Sequence, residues 1–356
     1  MIAYIKEPEY DGMDAVTARS KARVDAEVIF DRRGYKPINL NIPSKFTTNG
    51  FKRIKWHLDS NRAWKQALSK LTEKDILILQ YPCTDFNLLL PRVLKSARTK
   101  IVLLIHDWER FRHVENKDEG LGRRIKCRIE EKLLKEADKI IVHNDMMKQK
   151  MEDYGIEPNK LVSLGIFDYL IDNIDRSKIE QRKNSKDMPI IIAGNLTRKK
   201  SGYIYDLPNK TKFNLFGAGY EAEKKETIYY RGPFPPDDLP YHMDGSFGLV
   251  WDGPISETCA GATGNYLRIN NPHKTSLYLA SEIPVIIWSK AALATFIRDH
   301  RCGITVDSLA QINSAIEGLS DNDYKDMQRN AADIATQLRT GASLDRALKT
   351  VEEAIV

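Results

Sequence analysis

The chain has 356 residues, of which 42% are hydrophobic and 29% are charged. This balance is typical of a soluble globular protein of about two domains, and it excludes collagen, long disorder and a disulfide scaffold. The formal net charge of +6 is mild for this length, so it favours anionic ligands or an anionic membrane surface over a nucleic-acid partner.

Two kinds of segment alternate along the first half of the chain. Short apolar runs rich in β-branched residues predict strands at 1–5, 37–42, 75–81, 100–106 and 139–144. Longer mixed segments predict helices within 14–35, 61–71 and 123–138. Strands that are buried on both faces and joined by helices form open parallel sheets, so we predict an N-terminal α/β domain over residues 1–173.

The pattern breaks and then restarts in the second half. Residues 174–188 are highly charged and predict an interdomain linker, with a polar surface loop as the alternative. Beyond them we predict a helix near 272–282 and strands at 189–195, 212–219, 227–233, 246–253, 283–288 and 302–308. A second α/β domain over 189–335 follows. Because such sheets bind ligands beyond the carboxyl ends of their strands, two facing domains would place the chemistry in a cleft between them.

The end of the chain predicts two further helices. The stretch from Asp321 to Val356 is divided by Thr340-Gly341. We expect the last helix, over residues 336–356, to return to the N-terminal domain.

Cysteine spacing and basic stretches bear on the cellular setting. The cysteines form no C-x-x-C pair; they are Cys83, Cys127, Cys259 and Cys302. Acidic residues interrupt the N-terminal segment too early for a secretory signal, and no apolar run approaches the ~20 residues that span a bilayer. We therefore expect a cytoplasmic protein without a metal knuckle. The basic stretches at 95–100 and 123–128 favour a solvated helix face, with peripheral contact to anionic lipid at the inner face of the membrane as the alternative.

The segment 264–288 carries the most informative site signal. Asn271 followed by Pro272 predicts a helix opening, with a polar N-cap and a proline at the first helical position. The first turn contains Lys274 and Thr275. A cation at a helix N-terminus opposes the usual dipole preference, so we predict that an anion such as a diphosphate binds there. The alternative is a capped surface helix whose lysine is only solvated.

Glycines follow two other predicted strands. Gly194-Asn195 precedes the basic cluster that includes Arg198, and Gly217 lies near the end of the run at 212–219. A glycine permits close approach of the backbone to a ligand, and the cluster can meet phosphates, although an ordinary turn glycine is the alternative at each position. Neither segment matches the dinucleotide-binding or P-loop motif.

Acidic groups follow two more strands. His106-Asp107 closes the strand at 100–106, where either residue can remove a proton from a hydroxyl nucleophile. A histidine satisfied in a polar loop is the alternative. Asp252 follows SFGLVW near the end of the run at 246–253 and is either a ligand contact or a turn aspartate.

At these residues the sequence resembles the bacterial β-1,6-galactofuranosyltransferases of O-antigen and capsule assembly. The resemblance is carried by FGLVWDG (247–253), the long block from Ser256 to Leu293, IIIAGNLTRKK (190–200) and LIHD (104–107). More distantly, the chain resembles the glucosyltransferases that extend sugars on serine-rich adhesins, which share the H-D pair and the K-x-x-x-x-L-A-x-x-I-P-V-I pattern.

The resemblance implies a GT-B fold, in which two Rossmann-like doubly wound domains face a central cleft. It also implies a UDP-hexose donor on the C-terminal domain, a saccharide acceptor on the N-terminal domain, and no metal or other cofactor. We predict that Asp107 or His106 deprotonates the acceptor hydroxyl and that transfer inverts the anomeric centre. Residues predicted to bind the donor are Gly194, Asn195, Arg198, Gly217, Asp252, Asn265, Tyr266, Asn271, Lys274 and Thr275.

Two other functions stay open at this point. One is a glucosyltransferase that acts on a glycopeptide, and the other is a non-catalytic partner subunit that binds a nucleotide sugar. The residues do not distinguish galactofuranose from glucose in the donor, nor a lipid-linked acceptor from a free oligosaccharide. They leave the oligomeric state open, a homo-oligomer included.

Overall fold

A computed structural model describes residues 1–8, 18–43, 49–83, 90–112, 121–221 and 225–355. Internal contacts divide them into two units. The first unit contains residues 1–8, the described part of 26–164, and residues 346–355. The second unit contains residues 18–25 and the described part of 165–345.

The first unit contains a six-stranded parallel sheet in the order β2-β1-β3-β4-β5-β6. Its strands are β1 Ile2–Ile5, β2 Lys36–Ile38, β3 Ile76–Tyr81, β4 Lys100–Ile105, β5 Lys139–Val142 and β6 Leu161–Ser163. All six residues of β3 are buried, as expected for a central strand covered on both faces. Each of the five predicted runs contains or overlaps a strand. Strand β6 was not predicted, because a strand of three residues is too short to show a periodic pattern.

Helices cover this sheet between its strands. They are α1 Ala18–Arg32, α2 Gly50–Leu68, α3 Leu90–Ser96, α4 Glu109–Arg112, α5 Leu121–Glu136 and α6 Asp145–Asp153. The crossover from β1 to β2 runs in one direction along the sheet, and the crossovers to β3, β4 and β5 run in the other. Because parallel crossovers are right-handed, α1 lies on one face of the sheet. Helices α2, α3 and α5 lie on the opposite face.

The second unit contains another six-stranded parallel sheet, in the order β12-β11-β10-β7-β8-β9. Its strands are β7 Ile190–Ala193, β8 Phe213–Phe216, β9 Ile228–Gly232, β10 Gly248–Val250, β11 Val285–Trp288 and β12 Gly303–Val306. Its helices are α7 Arg176–Gln181, α8 Gly261–Tyr266, α9 His273–Ala280, α10 Ala294–Asp299, α11 Ile312–Glu317 and α12 Asp321–Thr340. All six strands predicted for this half are confirmed.

The charged segment at 174–188 contains helix α7 and packs within the second unit. Arg182 is buried, and its guanidinium donates to the carbonyl oxygens of Pro240 at 2.9 Å and of Ser281 at 2.6 Å. The arginine therefore satisfies two backbone acceptors in the interior.

The C-terminal helices are separated by Gly341, as predicted. Gly341 ends α12 with a left-handed φ of 89°, and α13 then runs over Ala342–Ile355. Near its end, the Glu352 carboxylate accepts hydrogen bonds from Arg33 Nη2 at 2.6 Å and from the Tyr35 hydroxyl. The last helix therefore packs on the first unit, as expected from the sequence. Among the helices that the structure describes, none combines the length and the apolar character needed to cross a bilayer.

Candidate donor site and candidate catalytic edge

The order of the second sheet defines where a ligand is expected. The chain builds outward from β7 to β9 in one direction and from β10 to β12 in the other. The carboxyl ends of β7 and β10 therefore lie at a switch point, where open parallel sheets form a ligand crevice. Gly194 directly follows β7, and Trp251-Asp252 directly follows β10. The structure thus brings two of the predicted donor segments to one edge.

Gly194 and Gly217 lie against each other at this edge. Gly217 has a φ of 147°, and a Cβ atom there would lie 1.8 Å from the Gly194 carbonyl oxygen. A side chain at position 217 is therefore sterically excluded. Gly194 is itself exposed, as is Asn195. The Asn195 side-chain oxygen accepts from the Thr197 backbone N–H at 3.0 Å, which fixes the start of the following turn.

Helix α9 begins one residue later than predicted. Pro272, with φ −66° and ψ 125°, occupies the N-cap position, and the helix starts at His273. The predicted N-cap, Asn271, is buried and donates from its side-chain amide to the Gly165 carbonyl oxygen at 3.0 Å. The predicted capping role of Asn271 is therefore wrong, because its amide is turned toward the segment at 165.

Lys274 forms an ion pair in the first turn of α9. Its Nζ donates to the Asp252 carboxylate and to the Trp251 carbonyl oxygen, both at 2.9 Å. The two side chains are only 16% and 11% exposed. Burial lowers the pKa of Lys274, but the Asp252 carboxylate raises it further, so this pKa lies above its ordinary value. The predicted anion partner of Lys274 is therefore, at least in part, the Asp252 carboxylate of the protein itself.

Tyr278 fixes α9 against the sheet. A Cβ atom at Gly248 would lie 2.1 Å from the Tyr278 ring, so the ring packs directly on the backbone of β10. The Tyr278 hydroxyl accepts from the Ala193 backbone N–H at 2.8 Å. Because Ala193 ends β7, this contact positions the start of α9 relative to both strands of the switch point.

The remaining predicted donor residues differ in accessibility. Asn265 is exposed. Tyr266 is only 5% exposed, so its predicted sugar contact would need a rearrangement. Thr275 is completely buried and its backbone N–H donates to Pro272. The prediction that Thr275 positions a diphosphate therefore disagrees with this conformation, since neither its hydroxyl nor its N–H reaches the surface.

Three tyrosines beside Gly217 were missed by sequence reasoning. We call Tyr205, Tyr220 and Tyr230 the tyrosine row; successive ring centroids lie 5.7 and 5.6 Å apart. The Tyr230 hydroxyl donates to the Gly217 carbonyl oxygen at 3.0 Å, and the Arg198 guanidinium lies 4.1 Å from the Tyr205 ring centroid. The three rings come from separate segments, so no local spacing indicates the row. A tyrosine two residues after Gly217-Ala218 was the available signal.

The first sheet holds the predicted base residues at its own carboxyl edge. A His106 ring nitrogen lies 2.7 Å from the Gln80 side-chain oxygen of the neighbouring strand. The Asp107 carboxylate forms an ion pair with Arg112 at 2.5 Å and is 24% exposed. The carboxylate is therefore accessible, but a guanidinium competes for it.

Glu130 organises the segment that follows His106 and Asp107, and sequence reasoning missed this role. Its carboxylate accepts from the backbone N–H groups of Glu109 at 2.9 Å and Arg110 at 3.0 Å, and also from the Tyr81 hydroxyl. The side chain is buried, which raises the pKa of Glu130 to about 7. A buried acidic residue therefore holds the start of α4 against α5.

Known proteins share both halves of this chain. Residues 3–166 match the family described as the Glucosyltransferase 3-like N-terminal domain, and residues 190–351 match the corresponding C-terminal domain. Beta-1,6-galactofuranosyltransferase WbbI of Escherichia coli (strain K12) is 37% identical over 290 residues, which cover 80% of this chain and 81% of that protein. Glucosyltransferase 3 of Streptococcus gordonii is 24% identical over 277 residues, which cover 75% of this chain and 76% of that protein.

A solved structure confirms the fold. Anabaena HepE, in complex with UDP and glucose, matches with a TM-score of 0.60 at 11% identity, over 99% of each chain. Together with the two parallel sheets, this likeness confirms the predicted GT-B fold of two Rossmann-like domains. The sequence resemblance to galactofuranosyltransferases and to the adhesin glucosyltransferases is also confirmed. The chain belongs to the Glucosyltransferase 3-like family and is a glycosyltransferase.

Proposed function

We propose that this chain transfers a hexose from a UDP-sugar to a hydroxyl group of a saccharide acceptor in surface polysaccharide assembly. The observation that carries the proposal is the carboxyl edge of the second sheet, where Gly194, Gly217 and the start of α9 meet at the switch point. The name of WbbI favours galactofuranose as the sugar, and the Glucosyltransferase 3-like family description favours glucose.

The donor diphosphate is assigned to this edge without a metal ion. Bare backbone at Gly194 allows phosphate oxygens to approach closely, and the N-terminus of α9 attracts negative charge. Arg198 supplies a cation at this edge, and its guanidinium lies over the Tyr205 ring. Lys274 is already paired with Asp252. An ammonium group has three N–H donors and a carboxylate has two oxygen acceptors. Lys274 can therefore still donate to the diphosphate, and Asp252 can still accept from a hydroxyl of the donor.

The nucleotide base is assigned to the tyrosine row. Aromatic side chains bind bases by stacking, and this contribution does not depend on hydrogen-bond readout. The row borders Gly217, so a base on these rings places its ribose and diphosphate toward Gly194.

Transfer itself requires a base near the acceptor. Asp107 or His106 takes the proton of the acceptor hydroxyl, whose oxygen then attacks the anomeric carbon from the side opposite the UDP bond. That bond breaks and UDP departs with the electron pair, which inverts the anomeric centre. Groups at the start of α9 stabilise the charge that develops on the β-phosphate.

The test is a panel of UDP-sugars scored for UDP release with and without lipid-linked, oligosaccharide and glycopeptide acceptors. We expect one UDP-hexose to support acceptor-dependent release. Release with a glycopeptide alone would replace the polysaccharide assignment. The absence of release with every pair, in protein that binds UDP, would contradict the proposed reaction.

The base assignment is tested by Asp107→Asn and His106→Gln, compared separately. We expect the variant that removes the base to lose about a hundredfold or more in turnover. UDP affinity should stay nearly unchanged, because neither residue belongs to the second unit, to which the donor is assigned. Asp153→Asn, at an exposed carboxylate on α6, is the matched control. Wild-type turnover in both variants would exclude these two residues as the base.

A further inference from the structure

Helix α2 presents an apolar stripe on the surface of the first unit. Phe51 is 90% exposed, Ile54 58% and Leu58 51%. Residues spaced by three and four positions lie on one face of a helix, so the three side chains form a continuous row over the first two turns. Such rows of large exposed apolar side chains mark contact surfaces on otherwise soluble domains.

The opposite face of α2 is firmly packed. Trp56, Ser60 and Trp64 are at most 4% exposed, and Leu68 is also buried. The helix is therefore anchored by its inner face, and the apolar stripe is held outward as part of ordered structure.

Exposed lysines lie beside the stripe. Residues 50–58 contain no acidic residue, and the exposed Lys52 and Lys55 flank the stripe. Arg53, by contrast, projects on the side of Trp56 and Ser60. Asp59, the next residue, is buried. Helix α3 packs against both α2 and α5, so α5 lies in the same helical layer. The first half of α5 adds the exposed cations Arg124, Lys126 and Arg128.

We propose that the stripe formed by Phe51, Ile54 and Leu58 docks on an anionic phospholipid bilayer, with α2 lying in the plane of the interface. The apolar side chains would enter the boundary between headgroups and acyl chains, and the neighbouring Lys52 and Lys55 would reach the lipid phosphates. A bilayer fits better than a protein groove because exposed lysines interleave with the apolar residues and no acidic residue occurs within residues 50–58. The inference goes beyond the proposed function and does not depend on which sugar or acceptor is used.

The experiment is co-sedimentation of the full chain with vesicles of phosphatidylcholine alone or with about 30% phosphatidylglycerol. We expect binding only to the anionic vesicles, weakened by salt. Phe51→Ser/Ile54→Ser/Leu58→Ser should reduce the partition coefficient about tenfold or more. The control Met146→Ser/Ile255→Ser changes exposed apolar residues elsewhere and should bind like wild type. Lys52→Gln/Lys55→Gln should reduce the preference for phosphatidylglycerol, whereas equal preference in this variant and wild type would overturn the role of the two lysines.

Because the stripe is exposed, the melting temperature and the UDP affinity of each variant should stay near the wild-type values. A variant that departs from either value is misfolded and is set aside. Equal partition of wild type and the stripe variant would overturn the proposal. So would a wild-type chain that ignores both vesicles. A dimer that the stripe variant converts to monomer, without vesicle binding, would assign this face to a second copy of the chain instead.

Discussion

Lys274 and Asp252 come from different segments and meet in one ion pair at the edge of the second sheet. The sequence indicated each residue separately, since one opens a helix and the other ends a strand. It did not indicate the pairing, because the two positions are joined only by the docking of α9 on β10. Removing one member of a buried pair leaves the other charge uncompensated, which costs more than the pair itself contributes.

We expect Lys274→Met to weaken UDP binding about tenfold, or about 1.4 kcal/mol, and to lower the melting temperature because Asp252 loses its partner. Calorimetric titration with UDP and thermal unfolding measure the two effects. Lys325→Met, at an exposed position of α12, is the control. Asp252→Asn/Lys274→Met should recover stability without recovering UDP affinity. If affinity returns with stability, Lys274 serves only the fold.

At the scale of elements, strand ends were predicted better than the contacts between them. The apolar runs located β7, β8 and β10 because buried parallel strands are continuously apolar. The sequence also showed glycines close to the ends of these strands, but it did not show why glycine is required there. Only the structure brings Gly217 onto the backbone of Gly194, and the tyrosine row likewise arises from three separate segments.

Gly217→Ala should destabilise the second unit by more than about 2 kcal/mol, because the methyl group meets the Gly194 carbonyl oxygen as well as a strained φ. Gly232→Ala is the matched control. It also has a positive φ, of 84°, but no atom lies within 4 Å of its added Cβ, so we expect only about 1 kcal/mol. Urea unfolding of both variants gives the comparison. Equal losses would show that backbone strain alone acts at position 217.

For the whole molecule, the sequence predicted both sheets and the two C-terminal helices. It did not predict which acidic residues are buried. Burial raises the pKa of Asp25 to about 6, and the pKa values of Glu27, Glu130 and Asp168 to about 7. No local pattern predicts these shifts, because charged residues usually occupy surface positions and burial depends on tertiary packing.

The raised values predict how stability changes with pH. An acid whose folded pKa exceeds its unfolded value stabilises the fold fully below the unfolded value, and this contribution is lost as the pH rises through the folded pKa. For Glu130 the window runs from its ordinary 4.5 to about 7. We expect the unfolding free energy of wild type, relative to Glu130→Gln, to fall by about 2 kcal/mol between pH 5 and pH 8. Urea unfolding across this range measures it, and parallel pH profiles would contradict the assignment.

The contact of Glu352 with Arg33 and Tyr35 has a consequence for synthesis and for engineering. Because residues 346–355 pack in the same unit as residues 1–8, that unit cannot form all its contacts until the second unit, which lies between them in the chain, has also been synthesised. A chimera that exchanges the N-terminal half between two relatives must therefore carry the final helix with it.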